Sequence, residues 1–269
     1  MPTFPFILGT LSHYFLRLAC SDVRIEGLEN LTEAIQSDRP VLTFSNHISV
    51  LDDPLMWGVL PPSMWLQAKT TRWVMGARDL MFRGTLDSWF FSRGHVISTD
   101  RGGGIYQEAL DVTVAKLRSG NFVHVFPEAK IKQDGLYNPR RFKWGIGRLL
   151  LNCPEPPIII PIFIKGFEQV MSEERGFPRF LPRPRKIVTI TIGKPINNVI
   201  EPMLDEMRER LGARIWNWRP SFYSENKELD YSLEPKALTK ARICIVNQLT
   251  ACLNALDTPE NTKFVSGSL

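Results

Sequence analysis

The sequence predicts an α/β protein built on a mostly parallel central sheet flanked by helices. Three observations carry that expectation. Six short apolar runs bounded by turn residues have the length of strands: 41–45, 64–68, 95–98, 122–126, 158–165 and 187–192. Segments with apolar residues every three or four positions lie between and after them. The length and composition, 269 residues of which 43% are hydrophobic and 23% charged, suit one large α/β unit with added segments.

The N-terminus is apolar from Phe4 to Cys20, broken by His13 and Arg17. A bilayer span needs about 20 predominantly apolar residues, so this stretch is marginal as a transmembrane helix. It lacks a basic leader and a small-residue cleavage site, and is less rich in Arg and Ser than an organellar presequence. We read it as a retained segment lying in or against a membrane, with docking on the protein's own core as the equal alternative. After the strand at 41–45, the residues Ile105, Ala109, Val112 and Leu117 make one helical face, and Gly120 stands where a C-cap glycine belongs. Pro161 interrupts the apolar run 158–165 and cannot donate to a ladder, which suggests a bulge or bend near a site. Leu238, Ala241, Ile245, Leu249, Cys252 and Leu256 define an amphipathic helix over 235–256. The aromatic stretch 216–231 reads as a surface loop and the last dozen residues as a tail. These features divide the chain into an N-terminal membrane-associated helical segment (1–37), an α/β domain (38–200) and a C-terminal helical extension packed on the same domain (201–269).

The net charge of +5, from 33 basic and 28 acidic residues, is too small to imply nucleic acid. Its placement says more. Between 130 and 148 stand Lys130, Lys132, Arg140, Arg141, Lys143 and Arg148 against Asp134 alone, and Arg179, Arg183, Arg185 and Lys186 form a second group. Such patches suit phosphate groups or an anionic membrane surface. The cysteines, Cys20, Cys153, Cys244 and Cys252, lie far apart with no C-x-x-C pair, which indicates neither a zinc site nor a disulfide framework.

Chemistry concentrates at the ends of the strand runs. Ser45-Asn46-His47-Ile48-Ser49-Val50-Leu51-Asp52-Asp53-Pro54 follows the first of them, the position active-site residues favour in α/β sheets. His47 and Asp52 are five apart, about 140° around a regular helix, so they meet only if His47 sits on the turn and Asp52 on the first helical turn. A carboxylate bonded to one imidazole nitrogen fixes the tautomer and leaves the other to take a proton from a hydroxyl. Structural capping accounts for the same residues: Ser49 as the N-cap of a capping box ending in Asp52, or Asp53 capping a helix that begins at Pro54. Phe126-Pro127-Glu128-Ala129-Lys130 follows another strand and places Glu128 at its carboxyl end, where it suits substrate hydroxyls, although taken alone the segment reads rather as a proline turn with solvated charges. Asp100-Arg101-Gly102-Gly103-Gly104 precedes the helix over 105–117, where free backbone N–H groups and Arg101 would meet an anion. The spacings of nucleotide-binding glycine loops and of the G-x-S-x-G nucleophile elbow are absent. His13, His95 and His124 read as packing or surface residues. Trp57, Trp65, Trp73, Trp89 and Phe90–Phe91 read first as core; still, 73–91 mixes rings with Arg72, Arg78, Arg83 and Arg93, the chemistry of an interfacial belt.

The order of these motifs, N-H-x-x-x-x-D, an Arg before a glycine-rich turn, F-P-E and a strand containing Ile-Pro, resembles that of the glycerolipid acyltransferases. The likeness extends through Trp57-Gly58, Tyr106-Gln107, the run Arg141-Phe142-Lys143-Trp144-Gly145-Ile146-Gly147-Arg148-Leu149, Pro178-Arg179-Phe180 and Ile192-Gly193-Lys194-Pro195, covering roughly 40–197. It implies an acyltransferase-like fold, His47 as catalytic base, Asp52 as its orienting partner, Arg101 as a phosphate contact and Glu128 as a substrate-binding residue. Lys130, Arg141 and Lys143 would hold lipid phosphates, with no cofactor and no metal. Within the family, the likeness is to enzymes that exchange acyl chains between phospholipids and lysophospholipids, with cardiolipin, monolysocardiolipin and phosphatidylcholine as substrates. Those act without acyl-CoA at mitochondrial membranes, peripheral or interfacial and facing the intermembrane space. The alternatives are an acyl-CoA-dependent enzyme acting on 1-acylglycerol-3-phosphate or glycerol-3-phosphate, and a non-catalytic protein bound to anionic membranes. One departure stands out. Ala129 replaces the family's usual Gly, which is harmless at negative φ and strained at positive φ.

Overall fold

The computed structural model describes residues 4–133, 141–212, 215, 221–222, 229–230 and 234–257. Seven strands form one sheet: β1 (Asp22–Glu26), β2 (Val41–Ser45), β3 (Trp73–Ala77), β4 (Val96–Thr99), β5 (Phe122–Val125), β6 (Ile158–Lys165) and β7 (Ile187–Ile192). Their order is β1-β7-β6-β2-β5-β3-β4, and every neighbouring pair is parallel except β6 with β7. The chain leaves β2 for β3 and β4 on one side, returns through β5, and then crosses to β6 on the other side of β2. β2 is therefore the switch point of the sheet, and ligands of such sheets bind outside the carboxyl ends of the strands at that place.

The period-two alternation of the central strands feeds two cores. Leu42, Phe44, Val123, Val125, Ile159 and Phe163 point to one face, against helices α6 (Glu108–Arg118), α7 (Gly145–Leu151), α9 (Asn197–Leu211) and α10 (Lys236–Asn254). Val41, Phe122, Ile160, Ile162 and Ile164 point to the other, against α1 (Phe4–Ala19), α2 (Leu28–Gln36) and α3 (Asp52–Met56). The remaining short helices are α4 (Arg78–Met81), α5 (Thr85–Arg93) and α8 (Phe167–Val170). The apolar face expected of the C-terminal helix is the one α10 buries, through Leu238, Ala241, Ile245 and Leu249. Gly120 has φ 77 and closes α6 through its N–H to Leu117 O, as a C-cap glycine does.

Several elements differ from the sequence reading. Residues 64–68 are not a strand; Pro62–Leu66 and Ala68–Thr70 are 3₁₀ turns, started by Pro62 and turned inward so that Met64 and Trp65 pack in the second core. The strand of that region is β3, a half-buried run inside the stretch read as an interfacial belt. The segment 1–37 is not helical throughout, because β1 extends the sheet beside β7. The helix after the glycine turn begins at Glu108, not 105, and Val114 takes the buried position expected of Val112. Pro161 makes no bulge. The register of β6 with β2 runs unbroken through it, and it lies opposite Gly193 at the end of β7, where its carbonyl accepts the Gly193 N–H. Most of the aromatic stretch 216–231 and the tail fall outside the described residues; the pair β8 (Ser221–Phe222) and β9 (Leu229–Asp230) is antiparallel.

The N-terminal helix docks on the protein itself. His13 Nδ1 contacts Gly58 O at 2.8 Å, and a Cβ on Gly58 would lie 2.6 Å from the Ser12 carbonyl carbon, so the two backbones touch only because Gly58 has no side chain. Ser12, His13 and Leu16 are buried there, while Ile7, Leu11, Tyr14 and Leu18 remain exposed along the opposite stripe. Phe4 joins that stripe to α5 through edge-to-face contacts with Trp89 and Phe90 at 6.0 and 5.0 Å. Among the described residues no helix is long and apolar enough to cross a membrane.

Candidate active site

The carboxyl end of β2 carries the site. Asn46, fully buried, donates to Ile164 O at 2.8 Å and accepts from Ile164 N at 2.9 Å, adding one side-chain rung to the β2–β6 ladder. That rung fixes the backbone at which His47 leaves the sheet. His47 then lies on the turn and Asp52 opens α3, the arrangement their spacing requires. His47 Nδ1 and Asp52 Oδ2 are 2.9 Å apart, and the same oxygen accepts the backbone N–H groups of Ile48 and Ser49 at 2.6 and 2.8 Å. Asp52 is fully buried. Burial pushes its carboxyl up from the ordinary value, against the lowering pull of His47 and the two amides. The capping box is half made: Asp52 Oδ2 reaches back to Ser49 N, but Ser49 Oγ accepts from Leu51 N, and Asp53 lies inside α3 and does not cap it.

Phe126 stacks on the His47 ring at 4.2 Å between centroids and 24° between planes. The segment after β5 holds the other side of the turn, with Lys132 N donating to His47 O at 3.0 Å and Gln133 Nε2 to Ile48 O at 2.7 Å. Imidazole Nε2 has no partner among the described residues and is left for a proton donor.

Behind His47 lies a second buried polar group. Asp53 accepts from Trp57 Nε1 at 3.1 Å and Arg72 Nε at 3.1 Å, and Arg72 also donates to Gly94 O at 2.9 Å. Burial opposes ionisation of Asp53, but the Arg72 guanidinium overrides it and holds the carboxyl below its usual range. Arg72 is thus buried and does not belong to an interfacial belt. His124 sits between Thr43 Oγ1 at 2.8 Å and Ser45 Oγ at 3.3 Å, edge-on to Trp57 and Phe126. Burial lowers its imidazole to about 3, so it is neutral. As expected it packs, and Phe126 separates it from His47.

The other residues singled out in the sequence divide. Glu128 is buried on the turn after β5 and is followed by Ala129 at φ 58, so the strained alternative for that alanine is the real one. Lys130, Arg141 and Lys143 are exposed on the same segment, which Lys143 N closes by donating to Pro127 O at 2.8 Å. Arg148 is not part of this cationic surface: it is buried, ion-paired with Asp111 and 4.8 Å from the Tyr106 ring. Arg140 and Asp134 lie outside the described residues. Arg101 follows β4, three strand spacings or about 14 Å across the sheet from β2, where it pairs with Asp79. The glycines beside it do not open a helix; Gly103 N donates to Asp100 O, and Gln107 staples the turn through Asp100 N and Gly104 O. No group of three His, Cys, Asp or Glu among the described residues could hold a metal.

Comparison with known proteins agrees with the fold. A family model described as acyltransferase matches residues 22–165. The chain belongs to the acyltransferase family. An N-acylphosphatidylethanolamine synthase of Arabidopsis thaliana is 37% identical over 191 residues, 69% of this chain and 67% of that protein. Tafazzin of Saccharomyces cerevisiae is 32% identical over 238 residues, 72% of this chain and 61% of that protein. The chain is thus similar to about two thirds or less of the length of these relatives. The 1-acyl-sn-glycerophosphate acyltransferase of Thermotoga maritima shares the fold, with TM-score 0.52, 21% identity, and coverage of 76% of this chain and 75% of that one. Taffazin of Dictyostelium discoideum is likewise similar, 35% identical over 196 residues, 69% of this chain and 65% of that protein.

Proposed function

We propose that the protein is a CoA-independent phospholipid–lysophospholipid transacylase that remodels cardiolipin acyl chains at mitochondrial membranes facing the intermembrane space. The observation that carries the reading is the His47–Asp52 pair, with Nε2 open and the carboxylate pinned by two amides. His47 takes the proton of a lysophospholipid hydroxyl as that oxygen attacks an acyl ester of the donor lipid. The bond to the donor's oxygen then breaks, and that oxygen takes the proton back from His47. Lys130, Arg141 and Lys143 supply positive charge for lipid phosphates beside the His47 turn. The exposed stripe of α1, its continuation onto α5, and Phe177, Phe180 and Leu181 support attachment in the plane of a membrane. Transfer of labelled acyl chains from phosphatidylcholine to monolysocardiolipin, with no CoA thioester present, tests the proposal. Transfer by the intact chain and its loss in His47→Ala are expected; a strict thioester requirement overturns CoA independence.

One observation favours a second acceptor. The Arabidopsis relative carries a name that denotes N-acylation of phosphatidylethanolamine. A base at His47 could equally deprotonate an amine, and an alkali-stable amide formed from phosphatidylethanolamine would identify that reaction.

A further inference from the structure

We propose that the cleft between the His47 turn and the loop 171–186 binds the phosphodiester of a glycerophospholipid, with Arg179 and Arg175 as its anion ligands. This rests on the lipid-acyltransferase reading and assigns that reaction a headgroup subsite on residues to which the sequence reading gave no individual role. The loop joins the carboxyl end of β6 to the start of the antiparallel β7, so it rises at the same edge of the sheet as His47. The cleft has a volume of about 240 Å³. Val50, Ile131 and Met171 form its apolar floor, and Arg175 and Arg179 outweigh Glu173 in charge. It adjoins the reacting centre: Val50 is three residues beyond His47, and Ile131 precedes Lys132, whose N–H holds His47 O.

The walls are held in place. The Gln133 side chain donates to Ile48 O at 2.7 Å and to Met171 O at 3.2 Å, and accepts from Glu173 N at 2.7 Å, tying the site turn to the loop in three bonds. Arg175 is anchored by the carbonyls of Ser172 and Arg179, which orient its guanidinium without neutralising it. The Arg179 side chain has neither ion pair nor hydrogen bond among the described residues, and its planar fork matches two phosphate oxygens. The volume lies below the roughly 300–1,000 Å³ of pockets that engulf a drug-sized ligand, which fits a headgroup whose chains stay outside. Phe177, 94% exposed, and Phe180 flank the arginines on the same loop, so ring and cation would reach a bilayer surface together.

Equilibrium binding of monomeric dihexanoylphosphatidylcholine to the full chain tests this without turnover, so failure of the acyl-exchange assay leaves the result intact. Arg179→Gln should weaken binding about tenfold, the loss expected of one charge-assisted pair, and Arg179→Lys should fall between. Thermal stability of both variants should match wild type, because Arg179 is exposed. Inorganic phosphate measured the same way distinguishes the source of the anion. Equal affinity of wild type and Arg179→Gln for the short-chain lipid overturns the proposal, as does tighter binding of free phosphate than of the lipid.

Discussion

Replacing Asp52 with Asn separates the charge of the carboxylate from its hydrogen bonds. His47 Nδ1, Ile48 N and Ser49 N converge on Oδ2 at 2.9, 2.6 and 2.8 Å. An amide oxygen in that place keeps all three contacts, and with them the imidazole tautomer whose Nε2 is free. The negative charge alone is lost. When His47 becomes an imidazolium, a carboxylate with charge centres about 4 Å away stabilises it by ~4 kcal/mol at an effective dielectric constant near 20. That is a factor of about 10³ in rate. The new NH₂ group lands where Oδ1 was, buried with no hydrogen-bond partner among the described residues, at a cost of about 1–3 kcal/mol in stability. We therefore expect kcat for labelled acyl transfer to fall about 10³-fold, KM to change little, and the melting temperature to drop. Because burial raises the Asp52 carboxyl, wild-type activity should decline toward acid as that group protonates, and the variant should lack this limb. A kcat within tenfold of wild type would refute the electrostatic role of the carboxylate.

Other substitutions test the scaffold. Ala129→Gly should stabilise the fold by about 0.5–1 kcal/mol, the relief of a left-handed alanine less the added freedom of glycine in the unfolded chain; denaturant midpoints that fall or stay put contradict the φ of 58. His124, lowered to about 3 by burial, binds its proton in the unfolded chain before the folded one, so stability should be complete above about pH 6.5 and decline as pH falls toward 3. His124→Gln should remove up to ~1.4 kcal/mol per pH unit of that decline, and an unchanged slope between pH 6.5 and 5 would assign the acid sensitivity elsewhere. Gly58→Ala forces a Cβ against the Ser12 backbone and should cost about 1–3 kcal/mol, with faster proteolysis within α1 as the check. Unaltered cleavage would mean that α1 is not held there.

A continuous Ile-rich run such as 158–165 is legible because it leaves no polar side for water and so belongs inside a sheet, and the edge strand β4 is legible from its short apolar run although only Ile97 of it is buried. β1 escapes notice since Asp22-Val23-Arg24-Ile25-Glu26 is an edge strand carrying three charges, and β3 since Trp73 and Met75 are only half-buried. The apolar run 64–68 misleads because a 3₁₀ turn that buries Met64 and Trp65 has the composition of a strand. Spacing shows only that His47 and Asp52 can meet across a turn-to-helix junction, since capping accounts for the same residues; their pairing is legible through the resemblance of N-H-x-x-x-x-D to the family motif. Asp53 and Arg72, nineteen positions apart, are joined only by tertiary packing. Counting charges likewise cannot show that Arg148 is buried while Lys143 is exposed. Gln133, a neutral residue of ordinary type, carries no signal in one sequence; what distinguishes it is the three backbone groups it reaches.

The phenyl ring lying over His47 shuts one side of the imidazole and prevents it from swinging away. With that face covered, the proposed proton transfers to and from Nε2 use the side left open, and each step forward is the mirror of a step back. On the proposed reading, such a catalyst sets the pace of exchange but not its destination, which is left to whichever lipid crowds the threshold.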